Sequence, residues 1–181
     1  MRALLAAVSF VVAAAGALPA RAEVRSASAS AFVIQAEAEI AAVPEQVWGS
    51  LGQISHWWNG AHTYSGDAGR LQLDMQAGGC WCERWGEGQS VEHMRVVLVM
   101  EHEGVRTLRL VGGLGPLQEM GVSGVLTFTV APHASGAKLT MTYRVSGDAG
   151  LTLDQLAPLV DMVLLEQFGR LSRFSSSGSP D

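Results

Sequence analysis

Lysine is almost missing from this chain: Lys138 is the only one in 181 residues. Twelve basic residues stand against 17 acidic ones, for a formal net charge of −5. Nucleic acid and anionic membrane surfaces need clustered lysine and arginine, so neither is an expected partner. Cysteine is nearly as scarce, with Cys80 and Cys82 alone. Internal repeats are absent. Only one long apolar run occurs, Ala3 to Leu18, after Arg2 and before Ala20-Arg21-Ala22. It falls short of the roughly 20 residues that a membrane span needs, and no basic stop cluster follows it. The run therefore reads as a signal peptide, residues 1–22, cut after Ala22. No cysteine sits at the cut, which argues against a lipid anchor, and the alanine-rich leader is of bacterial type. The expected destination is the periplasm or the medium, with no stable membrane span after cleavage. The mature chain, residues 23–181, has the size of one domain with one core.

Glu23 to Ala31 is small and polar, which suggests a flexible lead-in. Alternation then begins, with Phe32, Ile34, Ala36, Ala38 and Ile40 on one side, the period of a half-buried strand. Pro44 suits the first turn of a helix whose apolar face is Val47, Trp48 and Leu51. A second short helix carries Ile54, Trp57 and Trp58. Strands are predicted over residues 71–75, 80–85, 91–100, 105–111, 122–130 and 138–145. In the last, Leu139, Met141, Tyr143 and Val145 share one face. Leu153, Leu156, Val160, Val163, Leu164, Phe168, Leu171 and Phe174 recur at helical spacing, which predicts one long amphipathic helix. Residues 175–181 are polar and read as a disordered tail.

The fold class expected is α+β, a curved antiparallel sheet of about six to seven strands wrapped around a long C-terminal helix. Two short helices come after the first strand. Val43-Pro44-x-x-Val47-Trp48, Trp57-Trp58, Gly78-Gly79-x-x-x-Glu83, Val91-Glu92-His93 and the closing helix together resemble the START-like superfamily, also called SRPBCC or helix-grip. Within it they are most similar to the polyketide cyclase and chaperone-ATPase-activator-homologue branches. The resemblance spans Phe32 to Phe174 and implies a domain over 32–174 with a mostly apolar cavity between sheet and helix. It implies no shared catalytic set.

A plain sheet would fill 80–85 and 91–96 with valine, isoleucine and threonine. Here Trp81, Glu83, Trp85, Glu92 and Met94 suggest a pocket wall. A turn at Gly86–Gln89 would place Glu83 opposite Glu92, Cys82 opposite His93 and Trp81 opposite Met94. Two facing carboxyls in an apolar setting disfavour joint ionisation, so one could stay protonated as an acid or a ligand anchor. Trp57, Trp58, Leu117, Met120 and Tyr143 complete the expected ligand-binding set. Residues 114–121, flanked by glycines, read as a short helical lid.

Residues two apart on an extended strand have Cα atoms roughly 6.5 to 7 Å apart, at the limit for a disulfide. A strained Cys80–Cys82 bond, two packed thiols, or a metal site with His93 all fit. Packed thiols are the expected state, and neither metal nor cofactor is expected. The function expected is binding of a small hydrophobic or aromatic molecule, lipid- or polyketide-like. A cyclase- or hydrolase-type enzyme using Glu83 or His93, and a protein-interaction module, are the alternatives.

Overall fold

The computed structural model describes residues 21–181, with side chains from Glu23 onward. The predicted leader lies outside these residues, except for the backbone of Arg21 and Ala22. Strands β1 (Arg21–Ser28) and β2 (Ala31–Ile40) come first, followed by helices α1 (Pro44–Gly52) and α2 (Ile54–Trp57). Then come β3 (Leu71–Leu73), β4 (Cys80–Trp85), β5 (Gln89–His102) and β6 (Val105–Val111). Helix α3 (Pro116–Glu119), β7 (Ser123–His133), β8 (Gly136–Ser146) and α4 (Leu153–Ser177) complete the chain.

The eight strands form one antiparallel sheet in the order β1-β2-β8-β7-β6-β5-β4-β3. Period-two alternation drives it: Phe32, Ile34 and Ala36 on β2 and Leu139, Met141 and Tyr143 on β8 all point into the core. Helix α4 lies across this face and presses Leu153, Ala157, Leu164, Phe168 and Leu171 against it. The architecture is the helix-grip fold expected from the sequence. None of the described helices is long and apolar enough to cross a membrane.

Helix α1 begins where Pro44 takes the first position, behind an extended Val43, and Glu45 faces the positive end of the helix. Two segments depart from expectation. Glu23–Ser28 is not a flexible lead-in but the body of edge strand β1, in register with β2 from Arg21↔Glu37 to Ser28↔Ala31. Small polar residues suffice there because the ladder is made by backbone groups, and Val24 alone packs against the core. The tail is ordered too. Helix α4 runs to Ser177, where Gly178 caps it with a left-handed φ of 79°. Arg173 then donates to the Pro180 carbonyl at 2.8 Å, and Arg170 pairs with Asp181.

Candidate functional site

The α4 stripe is wider than the sheet can cover. Leu164, Phe168 and Leu171 are buried, whereas Leu156, Val160 and Val163 are only partly buried and border a gap. Opposite them sit α3 and the segment Trp58–Tyr64. The gap between these three walls is a pocket of about 580 Å³. Apolar groups dominate its lining, with Leu114, Leu117 and Met120 from the α3 segment. Such a volume and chemistry suit a small apolar ligand.

Each wall is fixed by identifiable contacts. The α3 segment hangs on Tyr143, whose hydroxyl donates to the Gly112 carbonyl at 3.2 Å and accepts from the Leu114 N–H at 3.1 Å. Burial pushes that hydroxyl up to about 12, so it remains a donor. Gly124 permits the arrangement, since a Cβ there would lie 2.2 Å from the Gly112 oxygen. Gln118 ties α3 to β5 by donating to the Glu92 carbonyl at 2.7 Å. The Trp58–Tyr64 wall is clamped to α4, where Arg170 donates to the Trp57 carbonyl and Gln167 accepts from the Asn59 N–H, both at 2.8 Å.

Behind Tyr64 lies a buried acid–imidazole pair. Glu83 is wholly buried and accepts from three donors: Tyr64 N–H at 3.0 Å, Ser65 N–H at 2.6 Å and His93 Nε2 at 3.0 Å. Burial alone would raise its carboxyl, but hydrogen bonds from Ser65, Tyr64 and His93 outweigh it and hold the group below the usual range. Burial lowers His93, against an opposing pull from Glu83, so the ring is neutral and donates. The Tyr64 ring stacks on Trp85 at 6.3 Å and sits 5.8 Å from His93. The pair therefore orders the loop that forms one pocket wall.

The hairpin register differs from expectation in an informative way. Trp81 faces Met94 as predicted, but Cys82 faces Glu92 and Glu83 faces Val91. The turn is one residue tighter, with Trp85 opposite Gln89, and a bulge at His93 restores the register. The Glu83–Glu92 carboxyl pair does not form. Glu92 turns outward to the Arg95 guanidinium, and His93 turns inward to Glu83. The same irregularity brings the Cα atoms of Cys80 and Cys82 to 5.3 Å, and the two are disulfide-bonded rather than free. The Cys80, Cys82 and His93 metal set is thereby dissolved: the sulfurs bond each other, and the imidazole lies on the opposite face.

Of the ligand-binding residues expected, Trp58, Leu117 and Met120 line the pocket. Trp57 is core, its indole donating to the Ser50 carbonyl at 3.0 Å. Trp81 and Met94 are core as well, with Trp81 edge-on to Trp58 at 4.8 Å. Glu83, Trp85, Glu92 and Tyr143 support the walls without lining the pocket. Sequence reasoning missed Glu166, which lies 104 residues from its partner His62 and 3.0 Å from its Nε2. It read Leu156, Val160 and Val163 as part of one apolar stripe without separating them from the residues that fill the core. The signal available was the breadth of the α4 stripe.

No protein-family model and no curated protein matches the chain by sequence. Solved structures do match by shape. CalU16 from Micromonospora echinospora superposes with a TM-score of 0.52 at 15% identity, over 90% of this chain and 85% of its own. SA2116 from Staphylococcus aureus gives 0.51 at 12% identity, over 80% and 90%. A norcoclaurine synthase point mutant from Thalictrum flavum, in complex with a transition-state analogue, gives 0.45 at 18% identity, over 80% and 94%. What the chain shares with CalU16 and SA2116 is the fold, a curved antiparallel sheet gripping a long C-terminal helix.

Proposed function

We propose that this chain is an exported carrier that holds a small hydrophobic or aromatic molecule, lipid- or polyketide-like, in the pocket between α3, α4 and the Trp58–Tyr64 segment. The observation that carries the proposal is the α4 stripe, whose Leu156, Val160 and Val163 are only partly buried and line a 580 Å³ void. Burying apolar surface at roughly 25 cal/mol per Å² would supply the affinity. The buried pair supports carriage over turnover. All three donors to Glu83 belong to the protein's own loop and hairpin, and neither Glu83 nor His93 lines the pocket.

Export is supported by the leader pattern and by the Cys80–Cys82 bridge, which suits an oxidising compartment. Cutting after Ala22 would trim two residues from β1 and leave Glu23–Ser28 paired with β2. Intact-mass measurement of material from the periplasm or medium should find Glu23 first, and a chain retained with Met1 would overturn export.

The pocket is tested with N-phenyl-1-naphthylamine, a neutral dye that brightens in apolar surroundings. Wild type should bind it saturably at one equivalent. Val160→Trp, which fills the void, should abolish the signal while keeping the wild-type circular dichroism. Lack of saturable emission from the wild-type protein would sink the carrier reading.

A further inference from the structure

The Cys80–Cys82 bridge takes no part in lining the pocket, yet it sits where the two supports of one pocket wall meet. It holds the Cα atoms of its residues 5.3 Å apart, where an extended strand would set them roughly 6.5 to 7 Å apart. Trp81 lies inside that shortened span. His93 lies across from it, left without a partner where the register shifts between Trp81 and Cys82. Each of the two reaches the Trp58–Tyr64 wall. The Trp81 ring meets Trp58 edge-on at 4.8 Å, and His93 donates to Glu83, which also accepts from the Tyr64 and Ser65 N–H groups. The buried Trp81 indole N–H has no hydrogen-bond partner among the described residues. Packing, and the backbone that the bridge shortens, set the place of this ring.

The bridge is also open to reagents. Cys82 is buried, but Cys80 is partly exposed at the first position of β4. Glu92 and Arg95, paired with each other, flank it: Arg95 stands opposite Cys80 in the ladder, and Glu92 Oε2 lies 3.9 Å from its sulfur. Exposed disulfides are the exchangeable ones.

We propose that Cys80–Cys82 is a thiol–disulfide exchange site opened by a dithiol, and that opening it loosens the Trp58–Tyr64 wall and weakens the hold on the bound molecule. The coupling rests on the pocket assigned above; the exchange does not. One thiolate of the dithiol attacks the Cys80 sulfur, the S–S bond breaks, and Cys82 leaves as a thiolate that takes up a proton. The second thiol of the reagent then attacks the mixed disulfide, closing the reagent's own ring and releasing Cys80 as a thiol. Two electrons and two protons pass to the protein. Strand β4 is then free to lengthen by about 1.5 Å toward its ordinary rise. That carries Trp81 along the sheet, and a close-packed interior passes such a shift on to Trp58 instead of absorbing it.

Dithiothreitol is the probe, added to the folded mature protein without denaturant. Iodoacetamide labelling and intact mass should find neither cysteine labelled before it and both after, at unchanged circular dichroism. N-phenyl-1-naphthylamine should bind about tenfold more weakly to the reduced form, an ordinary size for coupling between two sites, and reoxidation with diamide should restore it. Amide exchange should quicken at Tyr64 and Ser65 while β8 keeps its protection. The double variant Cys80→Ser, Cys82→Ser should show the weaker affinity from the start and ignore the dithiol. A bridge that stays closed until the protein unfolds would overturn the exchange site. One that opens with dye affinity unchanged would overturn the coupling and leave the pocket standing. Absence of dye binding by the oxidised protein would overturn pocket and coupling together, with the labelling still deciding the exchange.

Discussion

Of the histidine–carboxylate pairs among the described residues, two have a 3.0 Å contact, and their surroundings make them different devices. Glu83–His93 is closed off, with side chains 0% and 7% exposed. Glu166–His62 lies at the rim, with 39% and 32%. In the first, every carboxylate contact goes to the protein's own loop and hairpin, so the pair is a structural rivet. In the second, one imidazole nitrogen remains uncommitted beside an apolar void. Burial thus decides whether the same chemistry is locked into the fold or left at the pocket rim.

The largest expected effect comes from breaking the closed pair. Glu83→Gln turns an acceptor toward three donors into a group that also presents N–H, and should cost about 3 kcal/mol in denaturant unfolding. Its loop should lose amide exchange protection at Tyr64 and Ser65. A loss similar to that of Glu166→Gln would contradict the distinction between the pairs. Next in size is the bridge behind the bulge. Replacing Cys80 and Cys82 by serine should remove about 1.5 kcal/mol, the loop-closure contribution of so short a ring, measurable as a lower denaturant midpoint at unchanged slope.

Tyr143→Phe removes the hydroxyl that holds Gly112 and Leu114, with an expected cost of about 1 kcal/mol. It should loosen the α3 wall and weaken dye binding while β8 keeps its exchange protection. The pH dependence separates the pairs further. His93 lies below its ordinary 6.5 and Glu83 below its ordinary 4.5 in the folded protein. In each case the unfolded chain takes up the proton first as pH falls, so both contributions are fully present above 6.5. His93's is lost first on acidification below 6.5, and Glu83's further down. His93→Gln should flatten the upper part of that slope. An unchanged profile would show that the buried imidazole does not govern it. The smallest effect belongs to the exposed pair, where Glu166→Gln should change stability by at most about 0.5 kcal/mol.

Much of the fold was legible because periodicity is a local signal. The alternation of Phe32 to Ile40 and of Leu139 to Val145, Pro44 at a helix start, and the α4 stripe each identify their element without reference to the rest of the chain. Strand β1 was illegible for the opposite reason. Its serines and alanines carry no pattern, and its order comes from the free edge of β2. The hairpin shows how narrow the margin can be. Trp81↔Met94 follows from simple counting, yet a tighter turn and a bulge at His93 exchange the roles of Glu92 and His93. A one-residue change in register moves a side chain to the other face of the sheet.

Taken alone, the order of apolar and polar residues determined a curved sheet, a gripping helix and the surplus of apolar positions on that helix. It also determined the chemical inventory, including a near absence of lysine and a tryptophan-rich hairpin. Only tertiary structure decided that Cys80 and Cys82 bond each other, that Glu83 meets His93, and that His62 meets Glu166 from 104 residues away. It also decided which apolar residues of α4 fill the core and which border the void. Such pairings depend on bulges, turn lengths and the angle at which a helix crosses a sheet, and no local stretch of sequence encodes these by itself.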